Sequence, residues 1–155
     1  MPREIVGSQD GGGLRIGVIV ARFNAFITER LLGGALEALR EAGVRDDDVT
    51  LVRVPGAFEI AVAARALAAR GDVDAIVCLG AVIRGDTPHF DYVSKGATDG
   101  IREVMLQYGL PLAFGVLTTN TMEQAIERSA EGSSNKGAEA VRTAIEMARV
   151  LRSIG

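Results

Sequence analysis

The chain has 155 residues, the length of one domain, with 17 Lys and Arg against 20 Asp and Glu for a formal charge of −3. No basic excess is available to neutralise a phosphate backbone, which argues against a nucleic-acid partner. One Cys, one His and no Trp exclude a disulfide framework and a Cys/His zinc site, and no run of about 18 apolar residues marks a membrane span. The hydrophobic set is 48% and 19 residues are Gly, an excess over the ~45–50% of an average chain. Two readings follow: a compact α/β domain rich in Ala, Val and Gly, or an oligomer that buries additional apolar surface.

Residues 1–13 read as an extended N-terminal segment, with a short apolar patch REIVGS and a flexible break at Gly11-Gly12-Gly13. They lack a cationic stretch followed by an apolar run, so the expectation is a cytoplasmic protein. LRIGVIV at 14–20 suits a buried parallel strand. From Ile27 the apolar residues Leu31, Ala35 and Leu39 recur at i+4, an amphipathic helix ended by Gly43. Gly33 and Gly34 inside it predict a close-packing site, because helical Gly otherwise costs ~1 kcal/mol. Asp46-Asp47-Asp48 reads as a turn, and VTLVRV at 49–54 as the second strand.

The alternation continues. A helix spans about Phe58 to Ala69 with Gly71 beyond it, and DAIVCLGAVI is the third strand. A helix from about Pro88 to Tyr108 closes on Gly109, and PLAFGVL is the fourth strand. Thr121 with Gln124 fits a capping box for a short helix. Gly132-Ser133-Ser134-Asn135 breaks the chain before a last helix with Val141, Ala144, Ile145, Ala148 and Leu151 on one side. Four strand–helix alternations with no internal linker predict one domain, 1–155, built on a parallel sheet with helices on both faces.

Open parallel sheets bind ligands at the carboxyl ends of their strands. Those ends carry Ala21-Arg22-Phe23-Asn24, Pro55-Gly56-Ala57-Phe58-Glu59, Arg84 to Phe90, and Thr118-Thr119-Asn120-Thr121. In the third segment Thr87 suits an N-cap and Pro88 the first helical position. With Gly85 permitting a tight turn, this is either an ordinary helix start or a phosphate site. His89 in the first turn is a structural histidine or a proton carrier beside that site, since imidazole exchanges protons near neutrality. Phe23 and Phe58 are stacking rings or core aromatics. Glu59 is favoured in a first helical turn by the dipole alone, and Arg128 near a helix end faces an anion or solvent. Cys78, inside an apolar strand, reads as a buried hydrophobe. No GxxxxGK[ST] occurs and no GxGxxG follows a strand, which disfavours a nucleotide cofactor.

Together the strings ARFN (21–24), VPGAFEIA (54–61), CLGAVIRGDTPHFDYV (78–93), FGVLTTNTMEQAIERS (114–129) and NKGAEA (135–140) resemble the 6,7-dimethyl-8-ribityllumazine synthase family, in order and over nearly the whole chain. The resemblance implies a flavodoxin-like three-layer sandwich with a four-stranded parallel sheet and an N-terminal strand added to a neighbouring subunit. It implies a cofactor-independent, metal-free transferase with two small-molecule substrates, 5-amino-6-(D-ribitylamino)uracil and 3,4-dihydroxy-2-butanone 4-phosphate. By position, Phe23 looks like the ring stacked on the pyrimidine, and Ala57, Phe58 and Glu59 like the segment holding the ribityl chain. Ala81, Val82 and Ile83 resemble a backbone rim for the uracil edge. Gly85, Asp86 and Thr87 resemble the phosphate turn, Arg128 its cationic partner and His89 the proton-transfer residue. Phe114 and Lys136 resemble further substrate contacts. Phe114, inside the fourth strand, would come with Arg128 from the adjacent subunit.

The family forms pentamers, stacked decamers or sixty-subunit shells. The connection Ser129-Ala130-Glu131-Gly132-Ser133-Ser134 has the short length of shell formers without their Gly- and Lys-containing wording. The resemblance therefore implies a homo-oligomer, a pentamer built into a shell, with riboflavin synthase as an associated partner. Three rivals share the fold. One is a lumazine or flavin store, separated by turnover. Another is an FMN-binding module, which expects a Ser/Thr-rich loop where ARFNAF stands. The last is an archaeal-type riboflavin synthase, separated by its product.

Overall fold

A computed structural model describes residues 1–155. Four strands, β1 (Ile16–Ala21), β2 (Val49–Val54), β3 (Ala75–Ile83) and β4 (Leu112–Thr119), form one parallel sheet in the order β2-β1-β3-β4. Between and after them run α1 (Ala25–Glu41), α2 (Ile60–Arg70), α3 (His89–Tyr108), α4 (Met122–Arg128) and α5 (Lys136–Ile154). The central strands β1 and β3 are covered on both faces, which is why their sequences are continuous apolar runs. On one face Val18, Val20, Val77, Leu79 and Leu117 pack against Leu31, Leu39, Val141 and Ile145 of α1 and α5. On the other, Ile19, Ile76, Cys78 and Val116 pack against Ile60, Leu67, Ile101 and Val104 of α2 and α3. This is the three-layer α/β sandwich expected from the alternation.

Local departures have identifiable causes. Helix α1 starts at Ala25, two residues before the apolar repeat, because Asn24 turns the chain at φ 62. Asn tolerates this left-handed region better than most residues. The acidic run Asp46–Asp48 is a 3₁₀ turn, and so is Ala57–Glu59, so α2 proper begins at Ile60 rather than Phe58. Helix α3 begins at His89 with Pro88 in the cap position, and the Thr87 hydroxyl accepts from the His89 N–H at a long 3.4 Å. Helix α4 has the expected capping box: Thr121 Oγ1 accepts from the Gln124 N–H while Gln124 Oε1 accepts from Thr121.

The glycine pair of α1 divides. A Cβ on Gly34 would meet the Asn135 side chain, whereas one on Gly33 would meet nothing. Asn135 is the buried N-cap of α5, its Oδ1 accepting from the N–H groups of Gly137 and Ala138 at 2.8 and 3.0 Å. Residues 1–10 form no strand within this chain. They lie along α5, where Gln9 donates to the Arg142 carbonyl and the Arg149 guanidinium donates to the carbonyls of Asp10 and Gly12, both at 2.8 Å.

Candidate active site

The strand order reverses between β1 and β3, and at their carboxyl ends opens a cleft of about 700 Å³. Asn24 Nδ2 donates to the Ala81 carbonyl at 2.8 Å, tying the β1 loop to the end of β3 across that switch point. The Arg22 and Phe23 N–H groups donate to the carbonyls of Val54 and Pro55, which extends the β1–β2 ladder past the strands. The ends of β1, β2 and β3 are thereby tied together by one side-chain and two backbone hydrogen bonds.

Into this cleft the fold brings Phe23, Ala57, Phe58, Glu59, Ala81, Val82, Ile83, Gly85, Thr87 and His89. The choice left open for the two aromatics is resolved by exposure: Phe23 is 71% and Phe58 60% exposed, so neither is a core ring. Both rings line the cleft with large apolar faces open to solvent. The Phe58 ring lies over the α3 backbone at Gly96, where a Cβ would come within 2.9 Å of Cδ1 and closer to Cε1. Glu59 ends its 3₁₀ turn at φ −87, ψ −4, in the sparsely populated bridge region. Its carboxylate accepts no hydrogen bond from the chain, and the residue lines the cleft half-buried. His89 stands exposed at the start of α3, beside the open turn. Asp86 lies in that turn but does not line the cleft.

Phe114, Arg128 and Lys136 are elsewhere. They line a second cleft of about 460 Å³ along edge strand β4, between α4 and α5, with Thr118, Glu139 and Thr143. Phe114 is 44% exposed in mid-strand, opposite Cys78 in register. Arg128 closes α4, its Nη1 donating to the Gln124 carbonyl at 3.1 Å. Lys136 opens α5, where a cation opposes the helix dipole; its Nζ pairs with Glu139 Oε2 at 3.1 Å. Cys78 takes no part: burial pushes its thiol up to about 12 and keeps it protonated.

Sequence reasoning gave no site role to Asn24, Phe90, Tyr92 and Val93, all of which line the first cleft. Helical spacing from His89 offered a signal for Tyr92 and Val93, at i+3 and i+4 on the same face. Nothing local marks the Asn24 to Ala81 bond, because it joins residues far apart in sequence.

Comparison with known proteins converges on one family. The 6,7-dimethyl-8-ribityllumazine synthase family profile matches residues 13–152. The 6,7-dimethyl-8-ribityllumazine synthase of Desulfatibacillum aliphaticivorans is 54% identical over 147 residues, 95% of this chain and 95% of the relative.

Proposed function

The chain belongs to the 6,7-dimethyl-8-ribityllumazine synthase family, and from that premise we propose how its two clefts carry out the family's reaction. The enzyme is a transferase of riboflavin biosynthesis. It condenses 5-amino-6-(D-ribitylamino)uracil with 3,4-dihydroxy-2-butanone 4-phosphate to the lumazine, phosphate and water. The observation that carries the site reading is the gathering of Phe23, residues 57–59, residues 81–83, Thr87 and His89 around one cleft at the sheet's switch point.

The uracil ring stacks on Phe23, its polar edge meets the backbone of residues 81–83, and its ribityl chain lies against residues 57–59. Glu59 accepts hydrogen bonds from two ribityl hydroxyls. The butanone phosphate sits at the turn Gly85–Thr87. The uracil amine attacks the ketone to form an imine with loss of one water, phosphate leaves by β-elimination, and the ribitylamino nitrogen closes the ring on the resulting carbonyl with loss of a second water. His89 moves protons in the addition and elimination steps. Holding two reactants in register supplies most of the acceleration, with no cofactor or metal in the scheme.

Arg128, Lys136 and Phe114 complete the site of an adjacent subunit, Arg128 as the phosphate's cationic partner. Supporting this is their separation from the first cleft and the exposure of Phe114 on an open sheet edge. The oligomer is a homopentamer, built further into a sixty-subunit shell. Residues 1–155 act as one domain; in the single chain segment 1–10 packs along α5, and the strand it would lend to a neighbour rests on the resemblance alone. Association with riboflavin synthase, which rests on the resemblance, and a cytoplasmic location, which rests on the pattern of the N-terminal residues, complete the reading.

The test combines turnover with mixing. Purified protein of known mass by light scattering is given both substrates, and lumazine absorbance and phosphate release are followed. Binding of the uracil without lumazine would favour the storage reading. One variant then loses the first cleft (Glu59→Ala with His89→Ala) and another the second (Phe114→Ala with Arg128→Ala). Co-assembly in equal amounts leaves about one quarter of interface sites with both halves intact. Activity well above either parent supports a shared site; none above them places the whole site in one chain.

A further inference from the structure

Arg84 is the residue between β3 and the turn, and it touches both ends of that turn. Its N–H donates to the Thr119 carbonyl at 2.8 Å, carrying the β3–β4 ladder one residue past the strand. Its guanidinium carbon lies 4.4 Å from the centre of the Phe90 ring. Nη1 is 3.7 Å from the Asp91 carboxylate, and Nε donates to Asn120 Oδ1 at 2.9 Å. The side chain that begins the loop thus grips the two residues that follow His89. Residues 85–88 have little else to fix them: all are exposed, and a Cβ on Gly85 would meet nothing. Arg84 does not itself line the cleft, although its neighbours Ile83 and Gly85 do.

The contacts continue into the other half of the chain. Asn120 donates its N–H to Gln124 Oε1 at 2.8 Å, and Gln124 belongs to the capping box that starts α4. One guanidinium therefore joins the start of α3, which carries His89, to the start of α4, which ends in Arg128.

We propose that Arg84 is a positioning residue: it closes the turn 85–88 on itself and aims Thr87 and His89 at the phosphate-bearing substrate. This rests on the reading of that turn as the anion subsite. A planar guanidinium can stack on Phe90 while donating in its own plane to Asn120; an ammonium cannot do both. The geometry, rather than the charge, is what the turn needs.

The experiment uses assembled enzyme carrying Arg84→Met, Arg84→Lys or Thr87→Val, with KM measured separately for each substrate and inorganic phosphate as a competing probe. Arg84→Met is expected to raise KM for the butanone phosphate, and the inhibition constant of inorganic phosphate, on the order of tenfold, as a displaced binding group does. The KM for the ribitylaminouracil stays within about twofold, since its contacts do not pass through Arg84. Arg84→Lys gives nearly the same loss. A lysine variant with wild-type constants would show that a bare cation suffices and overturn the proposal, as would an unchanged phosphate KM in Arg84→Met. Thr87→Val separates the layers. If it too leaves phosphate affinity unchanged, the turn is not the anion subsite and the underlying reading falls. If it alone weakens phosphate, only the role of Arg84 falls.

Discussion

Adjacent glycines in α1 should respond to the same substitution with opposite signs. Replacing a helical Gly by Ala gains about 1 kcal/mol of backbone propensity where space allows. Gly33→Ala has that space, so it should stabilise by about that amount. Gly34→Ala places its Cβ 2.8 Å from Asn135 Nδ2 and closer to Oδ1 and Cγ, inside a buried side chain. Asn135 must move, and its position is used four ways: Oδ1 caps Gly137 and Ala138, while Nδ2 donates to the carbonyls of Ser129 at 3.0 Å and Arg30 at 3.3 Å. Losing the cap costs ~0.5–2 kcal/mol, and stranding buried partners costs ~1–3 kcal/mol more. Against the propensity gain, the midpoints of these ranges net to a destabilisation of roughly 2 kcal/mol. At roughly 2–4 °C per kcal/mol, Gly33→Ala should raise Tm by a few degrees and Gly34→Ala lower it by about 4–8 °C. Thermal unfolding at matched protein concentration reads this, since assembly makes Tm concentration-dependent. Because Asn135 sets the start of α5, Gly34→Ala should also weaken whatever Lys136 binds. Shifts of the same sign in both variants would refute the packing argument.

His89→Ala should slow turnover by about 10–10³-fold without abolishing it, because proximity survives; complete loss in an assembled variant would contradict this. Arg128→Ala should act mainly on the KM for the butanone phosphate, and an equal rise for both substrates would count against its role. Gly96→Ala should push the Phe58 ring off α3 and into the cleft, raising KM for the ribitylaminouracil; Phe58→Leu in the same chain should restore part of the loss. Cys78, held at about 12 by burial, should resist alkylation in the native protein at pH 8 and take up one equivalent after denaturation, read by mass spectrometry. Its folded value lies above the ordinary 9.0. Its contribution to stability is therefore intact below pH 9 and falls as pH rises beyond it, where the unfolded chain loses the proton first.

The parts legible in the sequence are those set by local pattern. Strands β1 and β3 announce themselves because burial on both faces leaves no polar position. The α4 cap is readable because Thr121 and Gln124 satisfy each other within four residues. The first cleft follows from strand ends alone, since a parallel sheet puts all of them on one edge. What escaped was long-range. The path of residues 1–10 along α5 depends on Arg149 and Gln9, which reach partners far away in sequence. Gly33 and Gly34 look identical in sequence and differ only in what α5 brings near them.

The second cleft holds features that an isolated subunit has no use for. An aromatic at 44% exposure in the middle of a strand forfeits the burial its neighbours Leu112 and Val116 obtain. A lysine at the first position of α5 works against the helix dipole and needs Glu139 beside it. Phe114 sits in mid-strand rather than at the carboxyl end of β4, so a ligand bound only at that end leaves it unexplained. A ligand reaching the open side of β4 would explain them, and under the proposed shared site that ligand belongs to the neighbour's first cleft in a ring of identical chains. On that proposal the local cost of Phe114 and Lys136 belongs to the assembly. Mixing first-cleft and second-cleft variants addresses it directly, because only a shared site can regain activity well above two impaired parents.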